Sequence, residues 1–275
     1  MASLCLGFRK CLFVNVQKGP GPKRTMFTKE PVPNEKCGKR RKNMAIYTIG
    51  DLHLSFKNPK PMNIFGENWN NHEEKIKKDW IFKVKPEDTV IHPGDFSWAM
   101  YLKDTLKDFE YLNSLPGKKI MLKGNHEYWW TTVTNMKKFL NENNFQNIDF
   151  LQNNSIEVED KIICGTRGWS LTNESEEEKR LINREALRLE LSIKSALDKN
   201  VENNKKIIVF MHYPPIVKQN IDNEFMRILR KYDIKRCYYA HLHGKSIQDA
   251  IEGNVRGIEF KLVSADALDF KLLKI

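Results

Sequence analysis

The stretch AIYTIGDLH, residues 45–53, decides how the rest of the chain is interpreted. Its first five residues are apolar or β-branched, which is typical of a buried strand. The run stops at Gly50, and the residues that follow include Asp51 and His53, whose side chains can both bind a metal ion. The sequence therefore predicts a buried strand with two potential ligands at its carboxyl end.

Four further apolar runs end in residues of the same kind. DTVIHPGD ends at Asp95, KKIMLKGNH at Asn125 and His126, KKIIVFMH at His212, and RCYYAHLH at His241 and His243. Helical patterns lie between the runs, over residues 104–115, 131–144, 173–199 and 222–231. This alternation predicts an α/β fold. Because ligands in α/β sheets bind beyond the carboxyl ends of the strands, we expect these terminal side chains to lie close together.

Each motif has an ordinary structural explanation when it is taken alone. An Asp-x-His after a strand is usually part of a turn, and Asn125 follows a glycine at a place where asparagine tolerates a positive φ. A single histidine is more often hydrogen-bonded inside a fold than bound to a metal. Five of the seven histidines, however, fall at the predicted strand ends. That coincidence indicates a metal site.

The ordered motifs resemble those of the calcineurin-like metallophosphoesterases. They are Asp51-x-His53, Gly94-Asp95, Gly124-Asn125-His126-Glu127, His212 and His241-x-His243. The resemblance covers essentially the whole chain after Met44, and it implies a two-sheet α/β/β/α sandwich with two divalent metal ions at its rim. It further implies one metal on Asp51, His53 and His243, a second on Asn125, His212 and His241, and Asp95 as the bridge between them.

The chemistry of such a site suits these residue types. Two divalent ions clamp a phosphoryl group and lower the pKa of a water, which then attacks phosphorus. Imidazole, carboxylate and amide donors favour Mn²⁺ first, with Fe or Zn²⁺ as alternatives, over Ca²⁺. We expect His126 to lie near the substrate as the general acid, although a role in buttressing the metal shell is the alternative. Asn125 is expected to bind a phosphate oxygen as well.

Two other segments are candidates for the substrate pocket. Arg167 follows the apolar run in CGTRGW, and we expect its planar guanidinium to bind phosphate, with a surface ion pair as the alternative. The insert over residues 66–72 contains an aromatic residue and hydrogen-bonding groups, and it is either a lid or a solvated loop. Both segments follow predicted strand ends.

The expected activity is hydrolysis of a small phosphoester, and the motifs do not separate monoesters from diesters. Position 98 is a tryptophan, whereas the phosphoprotein-phosphatase branch of the family has an aspartate there, so a protein phosphatase is not expected. The alternative from another class is a non-catalytic scaffold on the same fold. Such scaffolds lose ligands or the acid histidine, and this sequence has all of them.

The positive charge of the chain is concentrated before Met44. The whole chain carries a net charge of +11, and residues 1–43 hold eleven Lys or Arg against two Glu. We predict this leader to be disordered, and residues 44–275 to form a single domain. The leader is a transit peptide, a nuclear-localisation or nucleic-acid-binding tail, or translated upstream sequence. The last interpretation rests on residues 39–42, because the codons for these residues can form a purine-rich sequence like a bacterial ribosome-binding site. Apart from the possible tail, nucleic acid is not an expected partner.

The five cysteines form no C-x-x-C pair and have no regular spacing, so neither a disulfide framework nor a zinc knuckle is predicted. A reducing, cytoplasmic location fits best. No apolar stretch approaches the length of a membrane span. The oligomeric state is left open.

Overall fold

The computed structural model describes residues 44–171 and 175–275. The predicted basic leader, residues 1–43, lies outside the described residues. Within the described part, the strands are β1 (Ile46–Thr48), β2 (Thr89–His92), β3 (Lys118–Met121), β4 (Ile148–Phe150), β5 (Ser155–Val158), β6 (Lys161–Thr166), β7 (Lys206–Met211), β8 (Arg236–Tyr239), β9 (Gly253–Val255), β10 (Ile258–Leu262) and β11 (Leu273–Lys274). The α-helices are α1 (His72–Lys83), α2 (Leu106–Ser114), α3 (Val133–Glu142), α4 (Glu176–Lys199) and α5 (Glu224–Lys231).

These strands form two sheets. The first has the order β11-β1-β2-β3-β4, and the second has the order β5-β6-β7-β8-β10-β9. In the first sheet β1, β2 and β3 are parallel, with Ile91 opposite both Thr48 and Ile120. In the second sheet β6, β7 and β8 are parallel, with Met211 opposite both Thr166 and Tyr239. The parallel pairing continues to β4 in the first sheet and to β10 in the second, so it aligns the carboxyl ends of four neighbouring strands in each sheet.

The two sheets pack face to face through an apolar layer. Ile91 and Ile120 of the first sheet belong to the same buried cluster as Ile163 and Phe210 of the second. Helices cover the outer faces, since Trp80 of α1 belongs to the core of the first sheet, and α4 and α5 belong to the core of the second. The predicted α/β/β/α sandwich is confirmed.

The two edges that carry the candidate ligands are joined directly. The N–H of Gly50, at the end of β1, donates to the carbonyl of Val263 at 2.7 Å, just after β10. The N–H of His241, after β8, donates to the Asp51 carboxylate at 3.1 Å. The carboxyl ends of strands from both sheets therefore form one continuous rim.

Most helical patterns read from the sequence correspond to helices, but α1 was not predicted. Its buried residues His72, Ile76 and Trp80 are spaced by four, which places them on one face. The long helix α4 begins after Ser175, whose hydroxyl accepts the N–H of Glu178 at 3.1 Å. The Glu178 carboxylate in turn accepts the N–H of Ser175 at 3.1 Å, which completes a capping box.

None of the helices in the described ranges is long and apolar enough to cross a membrane. Cys164 and Cys237 are buried, and both are free thiols.

Candidate metal centre

Four of the candidate ligands adopt left-handed backbone conformations. Their φ angles are 56° at Asp51, 44° at His53, 56° at Asp95 and 76° at His241. Aspartate and histidine tolerate this region better than most residues, but it still costs free energy and tends to occur at functional sites. Hydrogen bonds hold two of the turns, since the N–H of Asp51 donates to Gly94 at 2.9 Å and that of His53 donates to Asp95 at 3.0 Å. The chain therefore bends sharply at each strand end and is fixed there.

Gly94 and Gly124 allow the two loops to approach each other. A Cβ at Gly94, where φ is +103°, would lie 2.7 Å from the backbone of Gly124 and 2.8 Å from the His212 ring. A Cβ at Gly124 would lie 2.2 Å from the Asp95 carboxylate. Any larger residue at either position would push the ligand-bearing loops apart.

The side chains of six predicted ligands form two groups. Asp51, His53 and His243 form one group, and Asp95, His212 and His241 form the other, with the potential ligand atoms of each group within 4.8 Å of one another. Asp51, His53, Asp95 and His212 are buried, whereas His241 and His243 are partly exposed. Each group offers the number and type of donors that a divalent transition metal takes from a protein.

Asp95, a member of the second group, also lies close to the first group. Its Oδ2 is 3.7 Å from Nε2 of His53 in one group and 3.4 Å from Nε2 of His212 in the other. The same oxygen is 3.9 Å from Nε2 of His126. Its Oδ1 accepts the N–H of His126 at 2.8 Å, which orients the carboxylate. A single carboxylate is therefore within reach of both candidate metal positions.

Nε2 of His212 carries a lone pair and faces other atoms that also carry lone pairs. Its Nδ1 lies 3.1 Å from the carbonyl of Pro93, which only accepts, so Nδ1 carries the proton. Burial, together with the nearby His241, holds the pKa of His212 well below its usual range, so the ring is neutral and Nε2 is unprotonated. That Nε2 faces Oδ1 of Asn125 at 2.6 Å and Nδ1 of His241 at 3.2 Å. A cation at this point would be coordinated by lone pairs that are not used in hydrogen bonds.

The first group shows the same crowding of donors. Nε2 of His53 lies 3.2 Å from Nε2 of His243. Burial, reinforced by His243, holds the pKa of His53 well below its usual range. Burial alone would lower the pKa of His243, but the carboxylates of Asp51 and Asp266 outweigh it and raise that pKa to about 10. A metal ion bound here would replace the proton on His243.

The buried carboxylates of Asp95 and Asp51 also need positive charge nearby to be stable in their ionised form. Burial raises the pKa of Asp95, and the neighbouring carboxylates of Glu127 and Asp51 raise it further. Burial has the same effect on Asp51, but the imidazoles of His243 and His212 outweigh it and hold that pKa well below its usual range. Two divalent cations would compensate these charges, so the donor set fits a pair of metals.

Glu127 supports the centre in a way that the sequence did not suggest. Its carboxylate is buried and accepts the backbone N–H groups of Asp95, at 3.0 Å, Phe96 and Gly124. Burial raises its pKa to about 7, against the effect of these three donors. Glu127 thus ties the loop after β2 to the loop after β3. Its place in the Gly-Asn-His-Glu motif was the only signal in the sequence.

Asp266 was also missed. Its Oδ1 accepts from Nδ1 of His243 at 3.1 Å, and its Oδ2 accepts the N–H of Gly244 at 2.8 Å. A carboxylate on the far nitrogen of a ligand histidine orients the ring and fixes its tautomer. Asp266 follows β10 and belongs to no recognisable motif, so only the fold reveals it.

Part of the insert over residues 66–72 packs against the centre, since Trp69 and His72 are buried, whereas Glu67, Asn68, Asn70 and Asn71 are exposed. Trp69 is 1% exposed, and its ring lies 5.5 Å from that of His243 and 6.0 Å from that of His53, centroid to centroid. Nε2 of His72 donates to the carbonyl of Leu52 at 3.0 Å. Trp69 therefore forms part of the wall of the centre, with its indole Nε1 buried and without a hydrogen-bond partner among the described residues.

Arg167 lies beside the centre and makes no contact with the ligand groups among the described residues. Its guanidinium is 3.6 Å from the buried Glu185 carboxylate, and only 15% of its side chain is exposed. It also stacks on Trp169 at 4.5 Å. The ion pair that the sequence left as an alternative is present, but it is buried rather than at the surface.

Comparison with known proteins gives one family match. The model of the calcineurin-like phosphoesterases matches residues 44–245. No match was found among curated proteins.

Similar solved structures include proteins from Aquifex aeolicus, Mycobacterium tuberculosis and Thermus thermophilus. A protein of unknown function from Aquifex aeolicus is 20% identical, with 84% of this chain and 96% of that chain covered and a TM-score of 0.44. A phosphopantetheinyl hydrolase from Mycobacterium tuberculosis is 14% identical, with 84% and 95% covered and a TM-score of 0.46. A protein from Thermus thermophilus is 13% identical, with 84% and 98% covered and a TM-score of 0.49.

Proposed function

The chain belongs to the calcineurin-like phosphoesterase family, and from this premise we propose that it hydrolyses a small phosphoester with two bound divalent cations. One observation carries the proposal. Two groups of three His and Asp side chains, each with ligand atoms within 4.8 Å of one another, meet at the rim where the two sheets join. Asp95 belongs to the second group, and its Oδ2 also lies 3.7 Å from Nε2 of His53 in the first group, which supports a carboxylate shared by two metals.

The proposed metal ligands are those implied by the family motifs. One cation would be held by Asp51, His53 and His243, the other by Asn125, His212 and His241, and Asp95 would be shared. The mixture of imidazole, carboxylate and amide donors favours Mn²⁺, with Fe or Zn²⁺ as the alternatives. When bound, the two cations clamp a phosphoryl group and supply the attacking hydroxide at neutral pH.

His126 is the proposed general acid for the departing alkoxide. Its side chain is 29% exposed, so it faces both the buried ligands and the substrate side of the rim. The bond from its N–H to Asp95 holds its backbone in place. Its Nδ1 has no hydrogen-bond partner within residues 44–171 and 175–275. A partly exposed imidazole held at the rim is suited to move a proton.

Asn125 and Arg167 are proposed to contact the substrate. Asn125 precedes His126, and its amide can donate to a phosphate oxygen while its Oδ1 faces the cation next to His212. Arg167 carries a guanidinium that matches phosphate geometry, and its Nε is buried without a partner among the described residues.

A non-catalytic scaffold is the alternative from another class. Against it stands the full set of ligands together with His126, all at one rim. The predicted nucleic-acid tail falls on residues 1–43, outside the described residues, and supports no proposal. The free thiols of Cys164 and Cys237 support a reducing compartment, so the cytoplasm remains the proposed location.

A Mn²⁺-loaded assay tests the proposal. Bis-p-nitrophenyl phosphate and p-nitrophenyl phosphate are compared as diester and monoester, with Asp95→Asn and His126→Ala as variants and metal content measured on the same samples. We expect hydrolysis of at least one ester, two metals per chain, and fewer metals in Asp95→Asn. If neither ester is hydrolysed and the purified chain binds no transition metal, the proposal fails and the scaffold is favoured.

A further inference from the structure

A cavity next to the metal centre is strongly basic. It has a volume of about 260 Å³ and lies between helix α4 and the segments that follow β3 and β6. The charged side chains that line it are Lys123, Arg167, Arg184, Arg188 and Glu185. We call this cavity the basic cleft. Four cations against one carboxylate leave an excess of three positive charges.

Glu185 cannot neutralise these cations. It is fully buried, and its carboxylate already accepts the Thr166 hydroxyl at 2.8 Å and Nη1 of Arg188 at 2.7 Å. The guanidinium groups of Arg167 and Arg184 lie farther away, at 3.6 Å and 3.7 Å. One carboxylate therefore holds three arginines in place and leaves most of their donors free to bind something else.

Lys123 is compensated only at longer range, by the carboxylates of Glu127 and Glu185. In the described ranges its ammonium makes no hydrogen bond and no ion pair, yet the side chain is half-buried in the cleft. The Nε of Arg167 is likewise buried without a partner there. Burying cations beside other cations costs free energy unless an anion compensates them. The cleft is thus organised for an anionic group.

The basic cleft lies next to the candidate ligands. Lys123 is two residues before Asn125, so their Cα atoms are at most about 8 Å apart. The carbonyl of Arg167 accepts the N–H of Tyr213 at 2.9 Å, and Tyr213 directly follows His212. The Tyr213 ring also lies 4.2 Å from that of His241. A single small molecule can therefore occupy the metal centre and the cleft together.

We propose that the basic cleft binds a second phosphate group of the substrate, so that the natural substrate is a small molecule with at least two phosphate groups. This inference rests on the proposed function, since it extends the same site. A phosphate dianion fits better than a carboxylate, because it offers more acceptors and more charge to three guanidinium groups and an ammonium. Arg184 and Arg188 face the solvent side, with 49% and 41% of their side chains exposed, whereas Lys123 is half-buried.

Binding of an anion to the metal-free full-length chain gives the first test. Inorganic sulfate serves as the probe, and thermal unfolding is followed as sulfate is added in the presence of a chelator. We expect saturating sulfate to raise Tm by about 3 °C. The gain is lost in Lys123→Met and in Arg188→Met, but kept in Lys138→Met, which removes the same charge from the exposed face of α3. No gain, or equal gains in all variants, overturns the cleft as an anion site.

Inhibition of the loaded enzyme gives the second test. Hydrolysis of bis-p-nitrophenyl phosphate is inhibited with a series of α,ω-alkane bisphosphates of increasing chain length and with the matching alkyl monophosphates. We expect at least one bisphosphate to inhibit about tenfold more strongly than its monophosphate, and Lys123→Met to remove that preference. Lys123→Met is the safer variant, because it leaves the bonds of Glu185 intact.

The outcomes separate this inference from the proposed function. If the loaded enzyme hydrolyses the diester but no bisphosphate is preferred, the proposed function stands and the second phosphate site is wrong. If no ester is hydrolysed, the proposed function fails, and the sulfate titration alone decides whether the cleft binds anions. If Lys123→Met keeps the preference for bisphosphates, the second phosphate binds elsewhere.

Discussion

The indole of Trp98 packs against the imidazole of His126, with their ring centroids 4.2 Å apart. The same indole stacks on His53 at 4.9 Å, and the ammonium of Lys60 lies 4.4 Å from its centroid. Position 98 is where the phosphoprotein-phosphatase branch has a carboxylate that orients the acid histidine. Here an aromatic surface, rather than a carboxylate, fixes the ring of His126.

Trp98→Ala should lower kcat by about ten- to a hundredfold, because the cavity it leaves allows His126 to move away from its working position. Trp98→Phe should keep most of the activity, since it retains an aromatic face. Both variants should bind as much metal as the wild type, measured by elemental analysis. Equal kcat values for Trp98→Ala and the wild type would show that the indole does not position His126.

His126→Ala should lower hydrolysis by about 10²–10⁴-fold for esters with a poor leaving group, because proton transfer to the alkoxide is lost. The loss should be smaller for p-nitrophenyl esters, whose leaving group needs no proton. Phenyl and p-nitrophenyl esters of the same phosphate are compared in steady-state kinetics. A loss of the same size for both would assign His126 to positioning rather than to acid catalysis.

Glu127→Ala should lower the free energy of unfolding by about 3 kcal/mol or more, because three buried N–H groups lose their acceptor. They belong to Asp95, Phe96 and Gly124. Urea unfolding of the metal-free chain provides the measurement. Glu157→Ala is the control, since that exposed carboxylate pairs only with Lys205 at the surface among the described residues, and it should change stability little. Similar midpoints for the two variants would argue against a structural role of Glu127.

Lys119 lies at the end of β3 that is away from the metal centre, and it should make the stability of the protein depend on pH. The residue is fully buried, its ammonium donates to the carbonyl of Leu115, and burial lowers its pKa from the usual 10.5 to about 7. Between these two pH values the unfolded chain binds more protons than the folded one, so the destabilisation by Lys119 is relieved as pH rises. The effect has a slope of at most about 1.4 kcal/mol per pH unit.

The difference in stability between Lys119→Met and the wild type isolates this effect. The free energy of unfolding of Lys119→Met, relative to that of the wild type, should be highest at pH 7 and below. This relative value should fall as the pH rises towards 10. Lys118→Met is the matched control, because Lys118 is exposed and lies 3.8 Å from Asp149 in a surface ion pair. A difference that stays constant from pH 7 to pH 10 would contradict the lowered pKa.

Much of the fold was predictable from local patterns. The buried strands are apolar runs with clear ends, and the helices α2 to α5 have the expected spacing of apolar residues. The helix α1 escaped prediction because its sequence, HEEKIKKDWIFK, is dominated by charged residues and buries only three side chains. The short strands β4 and β9 are three residues long and carry no pattern that a turn could not produce.

The residues that support the centre were harder to find. Glu127 and Asp266 act on the ligands through hydrogen bonds, and a carboxylate that accepts from a backbone has no sequence signature of its own. Trp69 looked like part of an exposed insert, because its neighbours are Asn and Glu. Its burial depends on the space beside His53 and His243, which only the packed fold creates.

The sequence by itself determined the type and order of the candidate ligands, because each follows a strand whose end is encoded by a few adjacent residues. The family resemblance implied how they divide into two sets, but only the tertiary structure brings six of them together in two groups and places Lys123 with the arginines of α4 in one cleft. The reason is physical. Strand ends are local, whereas distances of 3 to 4 Å between residues nearly two hundred positions apart depend on how two sheets pack.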